Sequence, residues 1–483
     1  MNDKSADNSS AYRLAFIRLS FFIFLGIIIW RLFQLQVINY GFYSALASGQ
    51  HDIFSKLIPE RGEIYVKDSL SSKAVFPAAV NKPMNFIFAV PREIENLDET
   101  VDKLKFFWGD NVEELKLILD KPTDPYEPLR HAVDDSLANQ VVDLGLPGIH
   151  VVPEVVRFYP DGVILSQVLG FVGYVGDHKQ GQYGVEQHWE KELAGLQGQL
   201  KSERDAAGGV ISIGDRQLVP AQDGADLVLT IDKNIQYKAC NALQESVEKH
   251  GAASGSIVII DPKSGAIRAS CNVPSFDANN YAKTTNPALF GNPVVSEPYE
   301  PGSIFKPFTM AAALDSGKVK PETTYNDTGE VVVSGHVIRN SDLKANGLQT
   351  MTNVLEKSLN TGVIFAMRQA GRQVFADYVK KFGFGQVTGV EVPGERPGNI
   401  SSLKDSNDIY PVTASFGQGI TATPLQMAAA YGALANQGRL MKPYLVEEIH
   451  YPDGKVEKTK TNSVRQVITP QSAAMVSAML VNV

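Results

Sequence analysis

The chain has 483 residues, more than one hydrophobic core can hold, so about two to four domains are expected. Apolar residues make up 44% and charged residues 20%, which excludes a disordered chain, and a formal net charge of −8 argues against nucleic acid as a partner. Two cysteines, Cys240 and Cys271, exclude a disulfide scaffold and a cysteine-built zinc site, and Cys271, in an apolar run, reads as a small core residue. The eight histidines are scattered, with no H-E-x-x-H, so neither a metal nor another cofactor is expected.

From the N-terminus, residues 19–30 are nearly all apolar, and Leu32, Phe33, Leu35 and Val37 extend the run to the length of a bilayer-spanning helix. Arg31 lies near one end, where its side chain can snorkel to the headgroups. Lys4, Arg13 and Arg18 precede the span and place the N-terminus in the cytoplasm, with the rest of the chain outside. A cleaved signal peptide is the rival, but Ala45-Leu46-Ala47, the cleavage-like site, lies well beyond the apolar run. An amphipathic stalk helix follows over 39–57. Residues 50–220 read as an elongated, non-catalytic module of mixed strands and helices, with a strand over 86–90 and helices over 98–107, 112–119 and 184–193.

The pattern sharpens after residue 225. A strand over 226–231, a helix over 235–249 and a hairpin of strands over 256–260 and 266–273 give an α+β domain with an antiparallel sheet. Later helices are expected at 303–316, 350–370, 373–382, 424–437 and 470–480.

Serine followed three places later by lysine occurs three times, at Ser303/Lys306, Ser341/Lys344 and Ser401/Lys404. The last two sit in polar, turn-rich loops. Ser303 follows Glu300-Pro301-Gly302 and opens an apolar helix closed by Gly317. A hydroxyl there has free backbone N–H groups and the positive end of the helix dipole beside it, and a lysine at i+3 shares its helix face. Pro307 is tolerated, because the first turn donates no intrahelical bonds. A serine needs a base, and a lysine serves only when neutral. Bringing its pKa from about 10.4 to near 7 takes about 4 kcal/mol, which burial, the helix terminus and a second cation can supply together. The same local pattern fits equally a helix N-cap followed by a surface lysine.

Glu300-Pro301-Gly302-Ser303-Ile304-Phe305-Lys306 closely resembles the first motif of penicillin-binding proteins, and Ser358-Leu359-Asn360 matches the second, S-x-N. Ser270-Cys271-Asn272 is a decoy inside a predicted strand. Further matches are Leu229-Thr230-Ile231-Asp232 with Gln236, Phe382-Gly383-Phe384-Gly385, Val392-Pro393-Gly394-Glu395, and Phe416-Gly417-Gln418-Gly419 followed by Thr423-Pro424-Leu425-Gln426. Arg61-Gly62-x-Ile64 and Gly184-Val185-Glu186 with Leu193 and Gly195 resemble the pedestal of the class B, monofunctional members.

The resemblance implies a cytoplasmic tail (1–18), a transmembrane anchor (19–37), a pedestal or dimerisation domain (38–221) and a transpeptidase domain (222–483) with an all-helical subdomain. It further implies that Ser303 attacks the carbonyl of a D-Ala-D-Ala stem peptide and expels D-alanine, with Lys306 taking the hydroxyl proton. Ser358 would relay a proton to the leaving amine. Asn360 would bind the peptide and steady Lys306. A neighbouring stem-peptide amine then closes a crosslink, and β-lactams acylate Ser303. The Glu300-Pro301-Gly302 lead-in and the 382–385 stretch resemble the division, or septal, type more than the elongation type. That implies septal partners, among them a polymerase of lipid-linked precursors, and a single-pass protein of the cytoplasmic membrane.

The family's third motif, K-T-G, is absent. Lys283-Thr284-Thr285 and Lys460-Thr461-Asn462 lack its glycine and its strand. The expectation is a truncated chain, inactive as written, from an active parent. A serine β-lactamase, a β-lactam sensor receptor and a non-catalytic division scaffold are the rival readings. Penicillin labelling with and without Ser303→Ala separates the scaffold from the enzyme.

Overall fold

Alternation of buried and exposed side chains sets the first strands, as in β1 (Ile64–Lys67), where Ile64 and Val66 face inward. The structure is a computed structural model that describes residues 25, 28–30, 59–69, 74–108, 111–176, 178–202, 216–481 and 483. The stalk over 39–57 and, apart from helical positions 25 and 28–30, the anchor over 19–37 lie outside them. Among the described residues no helix is long and apolar enough to cross a membrane. Residues 61–194 and 224–483 form one compact unit; the described part of the other holds the strand pair Gln199–Ser202 and Arg216–Val219.

Within the large unit β1 is followed by β2 (Val75–Ala89), β3 (Glu127–Val133), β4 (Ile149–Phe158), β5 (Asp226–Asp232), β6 (Gly255–Ile260) and β7 (Ile267–Val273). Then come β8 (Thr324–Asp327), β9 (Glu330–Val333), β10 (His336–Arg339), β11 (Gly347–Thr350), β12 (Val446–His450) and β13 (Val456–Lys458). One seven-stranded sheet runs β13-β12-β5-β1-β2-β3, with β4 also on β2. Its pairs are antiparallel except β1 with β5, which is parallel, Ile64 facing Leu227 and Tyr65 facing Val228. The expected pedestal and catalytic modules therefore share a sheet.

Helices α1 (Leu97–Trp108), α2 (Val112–Leu119) and α3 (Asp135–Asp143) close a separate apolar core on β2, β3 and β4 around Ile87, Leu104, Leu115 and Leu129. The expected helix over 184–193 is two short ones, α4 (Gly184–His188) and α5 (Glu190–Leu193). Here the two pedestal motifs meet. Glu186 is fully buried and accepts from Arg61 at 2.6 Å and Arg157 at 2.7 Å, while Arg61 also pairs with Glu190 at 2.7 Å. Burial alone would raise the Glu186 carboxyl, but the two guanidiniums outweigh it and hold it below the usual carboxylate range. A β-carbon at Gly62 would lie 2.0 Å from the Ala225 carbonyl oxygen, so only glycine lets this strand run against residue 225.

Helix α6 (Lys233–His250) begins where the Asp232 carboxylate accepts from the amides of Asn234 and Ile235, both at 3.0 Å, and it ends at Gly251 with φ +60°. It packs on the hairpin β6–β7 through Ala239, Leu243 and Ala269. Cys271 is buried there as expected, but not as an independent core residue: it is disulfide-bonded to Cys240. The pairing needs α6 to lie across β7, which spacing along the chain does not reveal.

The third core gathers α7 (Lys306–Asp315), α8 (Met351–Glu356), α9 (Asn360–Ala370), α10 (Arg372–Lys381), α11 (Pro424–Ala435) and α12 (Pro470–Leu480). This lobe is not all-helical as expected, because the ladders β8–β11 and β9–β10 fold into it. The single helix expected over 350–370 is also broken into α8 and α9 at Ser358, whose φ of +53° no continuous helix allows.

Candidate active site

Ser303 lies one turn before α7, in a 3-10 turn over Gly302–Phe305, rather than in the α-helix expected from residue 303. Its carbonyl accepts from the Lys306 amide, and its side chain is exposed. Three tethers fix the turn. The Gly302 amide donates to the Gly417 carbonyl at 3.0 Å, Tyr431 Oη donates to the Ile304 carbonyl at 2.7 Å, and Thr309 Oγ1 donates to the Ser415 carbonyl at 2.8 Å. Glu300 Oε1 accepts from the Gly419 amide at 2.9 Å, so the lead-in to Ser303 is locked to the Phe416–Gly419 stretch. A β-carbon on Gly417, φ +80°, would stand 2.2 Å from the Gly302 carbonyl oxygen. Behind the turn, Phe384 packs on Phe305 and Phe308 at ring separations of 5.0 and 5.3 Å, and Phe382 on Phe308 at 5.1 Å. The phenylalanine-glycine motif is the rear wall of the helix that carries the lysine.

Lys306 is only 1% exposed. Its Nζ donates to Ser358 O at 2.5 Å and to Ser358 Oγ at 2.9 Å, and among the described residues no carboxylate pairs with it. Burial brings its pKa down to about 8. Two of the four predicted residues are thus in direct contact. The left-handed backbone of Ser358 turns both its carbonyl and its hydroxyl onto the amine, at a conformational cost of about 1–2 kcal/mol.

Two expected contacts are not formed. Among the described residues no hydrogen bond joins Ser303 Oγ to Lys306 Nζ; the amine is engaged by the carbonyl and hydroxyl of Ser358 instead. Asn360 does not steady Lys306 either. It is the first residue of α9, and its Nδ2 donates to the Arg339 carbonyl at 2.9 Å. Catalytic hydrogen bonds are often loose without substrate and tighten in the reactive complex.

The decoys fall away on geometry. Ser270-Cys271-Asn272 lies within β7, Ser341 in a turn and Ser401 in a 3-10 segment over Ser401–Lys404. Neither Lys283-Thr284-Thr285 nor Lys460-Thr461-Asn462 lies in a strand. Tyr431 and Ser415, which sequence reasoning missed, reach the site from more than 100 positions away, as the separations of 127 and 106 show. Only the Phe416–Gly419 motif hinted at the second.

The chemistry available is that of an exposed hydroxyl one turn before a buried amine that pairs with no carboxylate among the described residues and is itself linked to a second hydroxyl. Comparison with known proteins places the two modules in known domain families. Residues 56–229 match the penicillin-binding protein dimerisation domain, and residues 255–483 match the penicillin binding protein transpeptidase domain. Stage V sporulation protein D of Bacillus subtilis is 31% identical over 477 residues, covering 96% of this chain and 72% of that protein. The peptidoglycan D,D-transpeptidase FtsI of Escherichia coli is 31% identical over 384 residues, 78% of this chain and 63% of that protein. A solved structure of penicillin binding protein 3 of Mycobacterium tuberculosis, in complex with aztreonam, is 29% identical with a TM-score of 0.60, over 68% of this chain and 69% of that one. On this sequence and structural agreement the chain belongs to the class B penicillin-binding proteins, with a penicillin-binding protein dimerisation domain followed by a penicillin binding protein transpeptidase domain.

Proposed function

We propose that this protein crosslinks peptidoglycan by acyl transfer through Ser303. The observation that carries the reading is Lys306: a buried amine with no carboxylate partner, its pKa near 8, one turn after an exposed serine. Lys306 takes the Ser303 proton as Oγ attacks the penultimate D-alanine carbonyl of a stem peptide. Ser358 Oγ, 2.9 Å from the amine, passes a proton to the departing D-alanine nitrogen. The acyl-enzyme then yields to the amine of a neighbouring stem. Asn360 binds the peptide backbone. The boundaries near residues 38 and 222, a single membrane anchor over 19–37 and a septal role with division partners belong to the same reading. The name of the Escherichia coli relative, a peptidoglycan D,D-transpeptidase, supports the acyl-transfer part of it. The aztreonam complex of the mycobacterial neighbour supports β-lactams as mimics of the substrate carbonyl.

The test is benzylpenicillin with the full-length protein, followed by peptide mass spectrometry. The reading expects one penicilloyl adduct on Ser303, lost in Ser303→Ala. A full-length protein that is folded and takes up no adduct is a scaffold, and the enzyme reading is then wrong.

A further inference from the structure

Behind the Ser358–Asn360 turn lies a buried carboxylate. Asp327, at the end of β8, is 2% exposed, and among the described residues it forms no ion pair. Its charge is met by hydrogen bonds alone. Oδ1 accepts from the Gly329 amide at 2.9 Å, from Thr361 Oγ1 at 2.7 Å and from Asn340 Nδ2 at 3.1 Å. Oδ2 accepts from Asn340 Nδ2 at 2.9 Å and from the amide and side chain of Asn346 at 3.0 and 2.8 Å. Burial opposes ionisation, but these bonds, led by the Asn346 side chain, outweigh it and hold the carboxyl below its usual range.

Two of those donors lead straight to the site. Thr361 follows Asn360 in the first turn of α9, and its amide donates to Asn340 Oδ1 at 3.1 Å. Asn340 follows Arg339, whose carbonyl receives the Asn360 side chain. The carboxylate therefore grips both sides of the turn, the helix start through Thr361 and the hairpin end through Asn340. Between them Ser358 is held at φ +53°, a conformation a serine leaves unless its surroundings enforce it.

We propose that Asp327 is a positioning residue for acylation, acting through Thr361 and Asn340 to keep Ser358 against Lys306 and Asn360 on the Arg339 carbonyl. The inference rests on the acyl-transfer reading above. The carboxylate form is required. Each oxygen receives at least two donors, so the –NH2 of an asparagine, whichever way it is turned, points hydrogens at hydrogens.

The experiment measures benzylpenicillin acylation of the full-length protein, separating the first-order acylation constant from the dissociation constant of the non-covalent complex. Asp327→Asn and the isosteric Thr361→Val should each slow the acylation constant roughly 10- to 100-fold, the scale of a misplaced catalytic group, with the dissociation constant little changed. Thr361→Ser, which keeps the hydroxyl, should return most of the rate. Wild-type acylation constants in both Asp327→Asn and Thr361→Val overturn the proposal. So does a loss that only follows the folded fraction measured by circular dichroism. If wild type itself is never acylated, the transpeptidase reading has failed, and this inference falls with it.

Discussion

Replacing Lys306 by methionine should show that the amine destabilises the fold in which it acts. Lys306 Nζ is buried with two oxygen partners from Ser358 and no anion, and its pKa falls from 10.5 unfolded to about 8 folded. The depressed value fixes the sign. Below pH 8 the amine is charged in both states, and folding bears the whole cost of burying it. The cost shrinks as pH rises through the folded pKa and vanishes above the unfolded one. From the two pKa values it is about 3 kcal/mol at pH 7, about 2 at pH 9 and about 1 at pH 10. Methionine removes it but leaves the Ser358 carbonyl without its donor, a pH-independent loss of about 1–3 kcal/mol. The absolute difference between variant and wild type at pH 7 is therefore small. The slope is the diagnostic. Measured by urea unfolding, wild type should gain about 2 kcal/mol relative to Lys306→Met between pH 7 and pH 10. A difference constant over that range means that the amine is hydrated in the folded protein and that burial does not make it easier to deprotonate than a surface lysine.

Glu186→Ala leaves Arg157 as a buried cation without its carboxylate and Arg61 with Glu190 alone, and should cost about 3–5 kcal/mol by the same unfolding measurement. Because the Glu186 pKa is lowered by folding, its contribution is present above the unfolded carboxylate pKa and is lost as pH falls through the folded one. The wild-type advantage should thus fade in acid. Cys240 and Cys271 are 31 residues apart in sequence, so the double serine variant should lose about 3.5–4 kcal/mol on the loop-entropy estimate, seen as a lower unfolding midpoint than that of the oxidised protein. Gly417→Ala drives a methyl against the Gly302 carbonyl and should slow penicillin labelling of Ser303 by roughly tenfold or more, while circular dichroism stays native. Equal labelling rates would show that the nucleophile turn does not depend on that contact.

Much of this was legible in the sequence because its signals are local. The helices over 112–119 and 470–480 lie where the apolar pattern puts them, and the Thr423-Pro424-Leu425-Gln426 stretch is a capping box, with Thr423 and Gln426 bonded reciprocally. The nucleophile and its lysine were legible for the same reason, as a serine beside a helix start followed by an apolar run. What failed was long-range or conformational. Nothing in Leu355–Leu359 distinguishes a continuous helix from one interrupted by a left-handed serine, because the φ of Ser358 is imposed by contacts from β8, β10 and α7. Arg61 and Glu186 were each visible as motif residues, but their pairing across 125 positions was not. The disulfide was hidden likewise, since it depends on a helix crossing a strand.

The parallel pairing of β1 with β5 bears on how this protein can be cut and how it comes together. The first domain match ends at residue 229, inside a strand that runs to Asp232 and is flanked by β1 on one side and β12 on the other. A pedestal expressed only to residue 229 would keep the partners of Ile64 and Tyr65 but sever the strand before Asp232, which faces Lys67, and would leave its remnant as an open edge without β12. A catalytic half begun at 255 would leave β12 without its neighbour. During synthesis the ribosome must deliver residues 226–232 before β1 gains its parallel mate, and residues 446–450 before β5 gains its second. Closure over such distances is slow, and it makes the two halves a single folding task.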